Sequence, residues 1–416
     1  MFETGSKTVP ITKTMVKEAY QKVKANQGRS GVDKESLEEY QSNLLNNLYK
    51  LWNRLSSGSY YPKPVLEVSI PKANGSKRIL GIPTVSDRIA QQVVKAYLEP
   101  RLEAAFDSNS YGYRPLKSAH QAVESVRINV RDYSWVIDMD IKNFFDEVDH
   151  ELLKKALACH VEEKWVKMYI SRWLEVASQT PDGSLTLKQG KGTPQGGVIS
   201  PLLSNLYLHY VLDKWLVKHY PQVAFVRYAD DVIVHCNNEQ EAQQVLEAIR
   251  QRLQECRLRL NEEKTKLVYC QDYRRKAKKD YKKKFDFLGF TFKPQSIASK
   301  RGGMFLGYDC GISQTAQTSI VAGWKKQNFH KRSTLTIQEI ATVINPQMNG
   351  IIRYYGKYNR WKLQKLVRHF HYRLAKWVLN KYKGLRGSYN KAYKWIKEIK
   401  VSYPNMFYHW TIFKHI

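Results

Sequence analysis

The sequence predicts an α+β fold, and two acidic strands and a helix-rich C-terminal part are the observations that predict it. Residues 225–234 are mostly apolar and carry Arg227 and, near their middle, two adjacent aspartates, as in a β-hairpin with acids at its bend. Residues 135–141 form a second short apolar run that also carries two acids. Residues 360–381 have the apolar spacing of a long helix.

The acids of the two strands are candidates for one shared site. Asp138 and Asp140 lie two positions apart, so they share one face of an extended strand. Taken alone, Asp230 and Asp231 are equally consistent with a polar surface turn, because Asp is common in turns. Carboxylates that arrive from two strands make an oxygen-rich site suited to Mg²⁺. Two such ions about 3.5–4 Å apart would serve an in-line phosphoryl displacement.

The charge of the chain is large and unevenly distributed. The 416 residues include 68 Lys and Arg against 38 Asp and Glu, a formal net charge of +30, and 43% of them are hydrophobic. Residues 351–400 hold fifteen basic residues against one acid, and residues 274–284 hold eight against one. A folded protein with a polyanionic partner and a localised binding surface is expected.

Cysteine usage and hydropathy exclude several protein classes. The five Cys are scattered without a C-x-x-C pair, which argues against a zinc site and a disulfide framework. Residues 1–5 begin no apolar signal region, and no run of about 18 apolar residues occurs. We therefore expect a soluble intracellular protein with no membrane partner.

A second hairpin, with a basic tip, is predicted closer to the N-terminus. Residues 65–70 have the pattern of a strand, residues 71–78 supply a turn, and residues 79–83 return. Upstream, residues 12–26 carry an apolar stripe at helical spacing, and Arg29 lies in the flexible loop that follows. Cations at a hairpin tip are usually solvated, so the tip by itself indicates no function.

Several motifs in colinear order resemble one family. The Tyr-Ala-Asp-Asp sequence of residues 228–231 resembles the Y-x-D-D box of reverse transcriptases, and residues 140–146 resemble the preceding strand of the group II intron branch. Residues 195–205 are close to the consensus of that branch, and residues 345–356 resemble its thumb, or maturase, region. The chain thus resembles a bacterial group II intron-encoded reverse transcriptase/maturase. The resemblance implies a right-hand polymerase with fingers and an antiparallel palm sheet, followed by an α-helical thumb/maturase domain.

The resemblance also implies a set of metal-binding residues: Asp140, Asp230, Asp231 and, through its backbone carbonyl, Ile141. The cofactor would be two Mg²⁺ ions, with Mn²⁺ as a substitute, held mainly by Asp140 and Asp230. Asp138 and Asp146 would then be structural or would contact the metal ligands rather than the metal. Lys264 lies in a segment that resembles the family's L-x-x-N-x-x-K-T box, where it is either a general acid toward pyrophosphate or a surface lysine in a turn.

A set of nucleotide-binding residues is implied in the same way: Lys72, Arg78, Phe145 and Gln195. Lys72 and Arg78 would fold onto the triphosphate, where Lys77 is a neighbour easily confused with Arg78. Phe145 would fill the space of a ribose 2′-OH and so select deoxynucleotides. Phe144 and Phe145 are adjacent at a predicted strand end, which sends them to opposite sides, one of them into the core.

Basic and aromatic residues interleave in the C-terminal region, as in proteins that neutralise phosphates and stack on unpaired bases. The candidate nucleic-acid-binding residues, with two from the N-terminal part, are Arg29, Arg114, Arg353, Tyr354, Lys357, Arg360, Arg368, Arg373 and Lys376. The alternative places the aromatic residues in a helical core and the charges on its wet face. For Arg114, a structural ion pair is favoured over a phosphate contact.

Composition changes predict three segments: a reverse transcriptase domain of residues 1–296, a thumb/maturase domain of residues 297–385, and the basic-aromatic end of the maturase region, residues 386–416. Asn345 is expected to cap a helix that Pro346 starts and Gly356 ends. The basic run 274–284 lacks apolar periodicity, which favours a mobile, solvated insertion.

The resemblance implies an RNA-directed DNA polymerase that uses an RNA template, a DNA or RNA primer and dNTPs, and that binds its intron RNA to aid splicing and retrohoming. A bacterial cytoplasmic ribonucleoprotein is the expected setting. The first alternative is an RNA-binding maturase whose main duty needs no aspartate, and the second is a domesticated enzyme in DNA repair or a CRISPR system. An H-N-H endonuclease does not fit in the remaining residues, so no target cleavage is expected.

Overall fold

The computed structural model describes four stretches of the chain: residues 9–71, 77–299, 302–413 and 415. Helices combine with largely antiparallel sheets, and the C-terminal region is helical, so the predicted α+β class is confirmed. None of the helices within these stretches is long and apolar enough to cross a bilayer. Lys72 falls outside the described residues.

The chain divides into two compact units. The first unit comprises the residues up to Ala122 together with Ile137–Lys266. The second unit comprises Val123–Val136 and Leu267–Ile416.

The elements up to the first acidic strand are mainly helical: α1 (Lys13–Asn26), α2 (Leu37–Ser42), α3 (Leu44–Ser56), β1 (Val65–Pro71), β2 (Lys77–Ile82), α4 (Val85–Ala105), α5 (Ala119–Asp132) and β3 (Trp135–Asp140). Local side chains define where several of these helices begin. Ser36 and Glu39 form a reciprocal capping box at α2, and the Thr84 hydroxyl accepts from the Asp87 N–H at α4.

The following elements surround the second acidic stretch: α6 (Phe144–Glu147), α7 (His150–Ala158), α8 (Lys164–Glu175), β4 (Ser178–Gln179), β5 (Leu185–Thr186), α9 (Ser200–Leu208), α10 (Lys214–His219), β6 (Ala224–Tyr228), β7 (Asp231–Cys236), α11 (Glu239–Glu255) and β8 (Lys266–Tyr269). A π-helical segment, His209–Asp213, joins α9 to α10. β6 and β7 pair antiparallel, and β3 is the next strand beside β7. The two predicted acidic strands are therefore neighbours within one sheet.

A separate sheet has the strand order β2-β1-β4-β5. β1 and β2 pair antiparallel from Leu66↔Ile82 to Pro71↔Lys77, which matches the hairpin predicted from the sequence. β1 pairs in parallel with β4 through Val65↔Ser178.

The second unit combines a three-stranded antiparallel sheet with five further helices: β9 (Phe285–Phe287), β10 (Phe290–Ala298), β11 (Met304–Ile312), α12 (Gln314–Gln327), α13 (Ile337–Asn359), α14 (Gln364–Lys381), α15 (Tyr389–Ser402) and α16 (Tyr408–Ile412). Short 3₁₀ turns follow α12, α13 and α14. One core contains side chains from all five helices, including the buried Trp324, Trp377 and Trp410.

A strand continues across the first predicted segment boundary, and a shared core spans the second. Residue 297 lies inside β10, which pairs with β11 along its whole length. The composition change near that position marks this hairpin rather than a linker. Ala392 of α15 and Trp410 of α16 belong to the same core as α13 and α14, so residues 386–416 pack with the helices of the thumb/maturase region.

Helix α13 begins nine residues before the predicted start at Pro346. A capping box of Thr336 and Glu339 starts it, and Pro346 lies inside the helix. The Asn345 side chain is not a cap: it donates to the Met406 carbonyl at 2.8 Å and accepts from the Tyr408 N–H at 2.9 Å. A proline inside a helix costs about 3 kcal/mol, and the buried apolar stripe of α13 offsets this cost.

The basic run 274–284 is anchored in the second unit, in contrast to the mobile insertion predicted. The Arg275 guanidinium donates to the carbonyls of Val130, at 3.0 Å, and Arg131, at 2.8 Å. Lys278 lies 5.0 Å from the centre of the Trp135 ring. These partners precede the run by more than 130 residues. The residue pattern within the run therefore could not predict that it is anchored.

A buried arginine fixes the turn between β6 and β7. Arg227 is fully buried and donates to both carboxylate oxygens of Asp213, at 2.7 and 2.5 Å. It also donates to the Asn205 amide oxygen at 2.9 Å and to the carbonyl of Ala229, inside the turn, at 3.1 Å. The Asn205 amide in turn donates to the Gly112 carbonyl at 2.7 Å. The turn is thus tied to α9, to the π-helical segment and to residues 109–112.

Replacing Asp213 by Asn tests this network. The change leaves the Arg227 charge buried without a counter-ion, so we expect the free energy of unfolding to fall by about 3–5 kcal/mol. Urea unfolding measures it. Glu247→Gln breaks an exposed ion pair with Arg250 and is the control, with an expected loss below about 1 kcal/mol. Equal losses in the two variants would contradict the role of the buried pair.

Candidate active site

The bend of the acidic hairpin is a two-residue turn. Tyr228 pairs with Asp231, and Ala229 and Asp230 form the turn between them. Ala229 has a φ of +57°, a left-handed conformation that costs a non-glycine residue energy. Gly112 packs directly against this turn, since a Cβ on it would lie 2.4 Å from the Ala229 nitrogen. Close packing therefore fixes the position from which the Asp230 side chain projects.

Asp140 is the last residue of β3, and the loop that contains Asn261 and Lys264 holds its side chain. Its carboxylate oxygen Oδ2 accepts from the Asn261 amide at 2.8 Å and from the Lys264 ammonium at 2.9 Å. Its carbonyl accepts from the Asn261 N–H at 2.8 Å. Asn261 is a residue that sequence reasoning missed, although it stands in the same box as Lys264.

The charges of the three aspartates act on one another. Burial raises the pKa of Asp230, and the negative charge of Asp140 raises it further. Asp231 is exposed at the surface but partly dehydrated by the protein around it, and this, followed by the charges of Asp230 and Asp140, raises the pKa of Asp231 to about 6. Lys264 opposes both shifts. Three carboxylates thus share a small region with too little positive charge to balance them.

The donor set suits a hard divalent cation, because it offers carboxylate oxygens and an excess of negative charge. No three His, Cys, Asp or Glu side chains anywhere in the described stretches already form a metal-binding group. Mg²⁺ takes only one or two protein carboxylates and completes its shell with water and phosphate oxygens. The residues therefore fit a metal that binds together with a phosphate-bearing substrate.

Two of the predicted nucleotide-binding residues lie together. The Arg78 guanidinium donates from Nε to the Gln195 side-chain oxygen at 2.8 Å, and the Gly81 N–H donates to the Gln195 carbonyl at 2.8 Å. A Cβ on Gly196, whose φ is +124°, would lie 2.7 Å from the Gly81 oxygen. The positive charge of Arg78 also acts on Asp230, so these groups border the acidic cluster.

Phe145 was predicted at a strand end, but it lies on the helical turn α6. Phe144 is buried and Phe145 is partly exposed, with their rings edge to face at 5.4 Å. Asn143, at a φ of +48°, ends the extended chain and turns it into α6. The Phe145 carbonyl accepts from the Thr193 N–H at 2.7 Å, which joins the turn to the loop that carries Gln195.

Three of the predicted nucleic-acid-binding residues have partners within the protein. Arg114 is buried and its guanidinium binds the Glu103 carboxylate, which confirms the favoured ion pair and removes Arg114 from the candidates. Arg373 is buried beside the Trp324 carbonyl. The Tyr354 hydroxyl donates to the Leu288 carbonyl at 3.0 Å. Sequence position alone could not distinguish these from surface residues.

The remaining candidates have side chains that reach solvent: Arg29, Arg353, Lys357, Arg360 and Arg368 are exposed, and Lys376 is half-buried. The Lys376 ammonium lies 4.8 Å from the centre of the exposed Tyr372 ring. The role of these residues in nucleic-acid binding stays a prediction.

Crowding of the aspartates predicts a gain in stability when one charge is removed. The ordinary pKa of Asp231 is 3.8 and its folded value is about 6, so its ionised form opposes folding. Asp231→Asn is therefore expected to raise the Tm of metal-free protein at pH 7.5. The gain in Tm should shrink as the pH falls through about 6 toward 4, because the Asp231 side chain of the wild-type protein then becomes neutral as well. A thermal scan in chelator at each pH measures it, and identical Tm values at pH 7.5 would contradict the crowding.

Comparisons with known proteins find two matching family profiles and several similar proteins. The sequence profile described as "Reverse transcriptase (RNA-dependent DNA polymerase)" matches residues 70–292, and the profile "Group II intron, maturase-specific domain" matches residues 321–395. Protein YkfC of Escherichia coli (strain K12) is 36% identical over 290 residues, which cover 59% of this chain and 73% of that protein.

Group II intron-encoded protein LtrA of Lactococcus lactis subsp. cremoris is 34% identical over 203 residues, which cover 48% of this chain and 33% of that protein. The chain thus spans about a third of the length of LtrA. Among solved structures, telomerase from Candida albicans in complex with a TWJ fragment of telomeric RNA has a TM-score of 0.47 at 13% identity, covering 86% of this chain and 65% of that one. The reverse transcriptase profile matches more than half of the chain and shows that the chain belongs to the reverse transcriptase family, and residues 321–395 match the maturase-specific domain of group II introns.

Proposed function

We propose that this protein extends a primer with deoxynucleotides on an RNA template, with two Mg²⁺ ions bound by Asp140 and Asp230. The observation that carries the proposal is the convergence of three aspartates from β3 and the β6–β7 turn beside Arg78. When bound, the ions would supply positive charge to the reacting oxygens of the primer and the nucleotide. Asp231 would lie at the edge of this site, and the Ile141 carbonyl would be a further ligand.

The chain's own residues would bind and orient the nucleotide. Arg78 would neutralise the triphosphate, and Gln195, which its guanidinium already contacts, would hold it toward the substrate. Lys72 would join Arg78 on the triphosphate, as the family resemblance implies. The partly exposed Phe145 would occupy the place of a 2′-OH and so favour dNTPs over ribonucleotides.

Lys264 would hold a proton near the departing pyrophosphate. Its ammonium binds Asp140 at 2.9 Å, and its side chain is 64% exposed, so it can exchange that partner for a phosphate. The same contact places a positive charge on Asp140 and offsets part of the repulsion among the acids. General-acid catalysis and charge balance would then be two tasks of one residue.

The variant Asp230→Asn tests the site both by primer extension and by binding of metal and RNA in the absence of reaction. We expect it to abolish primer extension on an RNA template and to weaken binding of Mn²⁺ alone, because it removes a ligand charge. Calorimetry with the metal alone and filter binding of the RNA measure the two binding steps, and RNA affinity should stay within about twofold. Asp182→Asn, in an exposed loop, is the control. Extension at wild-type rate by Asp230→Asn would overturn the proposed site.

RNA binding by the second unit would support splicing of a group II intron, the other activity we propose. An open cavity of about 490 Å³ is lined by β10 and by the end of α13. Lys357 and Arg360 stand at its edge, and the Trp361 ring beside them is 73% exposed. Exposed cations next to an exposed aromatic ring suit the phosphates and unpaired bases of folded RNA.

Retrohoming as a bacterial cytoplasmic ribonucleoprotein would unite the two activities. A maturase without polymerase activity is the competing function, as is a domesticated enzyme in DNA repair or a CRISPR system. The paired acids and the Arg78–Gln195 contact favour retained polymerase chemistry, since splicing alone needs neither.

Removing the cations at the cavity edge tests the RNA surface. The double variant Lys357→Ala/Arg360→Ala should weaken RNA binding. The plot of the logarithm of the RNA association constant against the logarithm of the salt concentration should become less steep by about 1.4, because two phosphate contacts are lost at about 0.7 each. The control, Lys155→Ala/Lys164→Ala, removes the same charge from exposed positions of the first unit and should leave the slope unchanged. Equal slopes in both double variants would contradict this surface.

A further inference from the structure

Tyr113 has a backbone conformation that large side chains rarely adopt. Its φ is +56°, in the left-handed region, where a residue with a bulky side chain is an outlier. Such strain persists only where the surrounding structure imposes it, and it concentrates at functional sites. The position therefore calls for a reason why glycine or asparagine does not occupy it.

The neighbours of Tyr113 explain how the strain is maintained. Gly112 is pressed against the Ala229 turn, and its carbonyl accepts from the Asn205 amide at 2.7 Å. On the other side, the Arg114 guanidinium binds Glu103 and the Ser110 carbonyl. Both flanking residues are thus fixed, and the bend between them falls on Tyr113.

The ring of Tyr113 gains little from the protein in return. It is 53% exposed, and no hydrogen bond or ring contact joins it to any residue of the described stretches. Gly112, the preceding residue, packs against the Ala229 turn that carries Asp230, so Tyr113 lies beside the acidic cluster. Burial raises the pKa of its hydroxyl, and the charges of Asp230 and Arg78 act on it as well. A strained and half-exposed aromatic ring therefore lies near both the acidic cluster and Arg78.

We propose that the Tyr113 ring is part of the nucleotide site and packs against the sugar of the incoming dNTP. This inference rests on the proposed polymerase function. A triphosphate held by Arg78, with its reacting phosphate near Asp230, places the adjoining sugar next to the side chains that border Arg78 and Asp230. An aromatic face buries the apolar carbons of a sugar and needs no charge to do so. Tyr113 would thereby act with Phe145 in shaping the space around the sugar.

Substitution by glycine separates a substrate contact from a structural role. Tyr113→Gly removes the ring and relieves the strain, because glycine adopts a φ of +56° freely. We expect its Tm to equal or exceed that of wild type, while the KM for dNTP rises about tenfold and the affinity for primer–template is unchanged. Tyr113→Phe keeps the ring and should keep the KM within about twofold.

Leu116→Gly is the matched control, because Leu116 also has a positive φ, of +60°, and its side chain is 99% exposed. It should raise the Tm in the same way and leave the KM for dNTP unchanged. An unchanged KM in Tyr113→Gly would overturn the inference, as would a lower Tm or an effect confined to primer–template binding. The wild-type reaction serves as a reference, since its absence would refute the polymerase proposal before any variant is compared.

Discussion

The buried ion pair of Arg227 and Asp213 is the interaction on which the geometry of the site depends. A guanidinium with no exposure to water is tolerated only when its donors are paired, and here both carboxylate oxygens, an amide and a carbonyl accept them. One acceptor, the Ala229 carbonyl, belongs to the turn itself. Removal of the pair would release the left-handed conformation of Ala229, and with it the direction of Asp230.

The acidic cluster trades stability for chemistry. Asp230 and Asp231 have raised pKa values because they are dehydrated and lie near Asp140, and the Lys264 ammonium compensates only in part. Tyr113 adds backbone strain at the same place. Rigid packing of the surrounding helices and strands holds these unfavourable arrangements together, as is usual for preorganised active sites.

Local patterns in the sequence predicted the two acidic strands, the β1–β2 hairpin and the helical C-terminal region. The family resemblance brought Arg78 and Gln195 together, and the structure joins them by one hydrogen bond. Features that depend on distant partners were missed. Pro346 stays helical because its helix is buried, and the run 274–284 is anchored by residues near 130. Arg114 looks like a surface cation in sequence, yet Glu103 and nearby carbonyls bury it.

The hydrogen bond from the Thr193 N–H to the Phe145 carbonyl has a mechanical consequence. Thr193 precedes the loop that packs through Gly196 against Gly81 of β2, so a shift of that hairpin would reach the Phe145 ring, the proposed contact of the sugar. Discrimination between ribose and deoxyribose would then vary with the posture of the β1–β2 hairpin. Substitutions far from the ring, at the contact of Gly81 with Gly196, would alter whether deoxynucleotides or ribonucleotides are incorporated into the product.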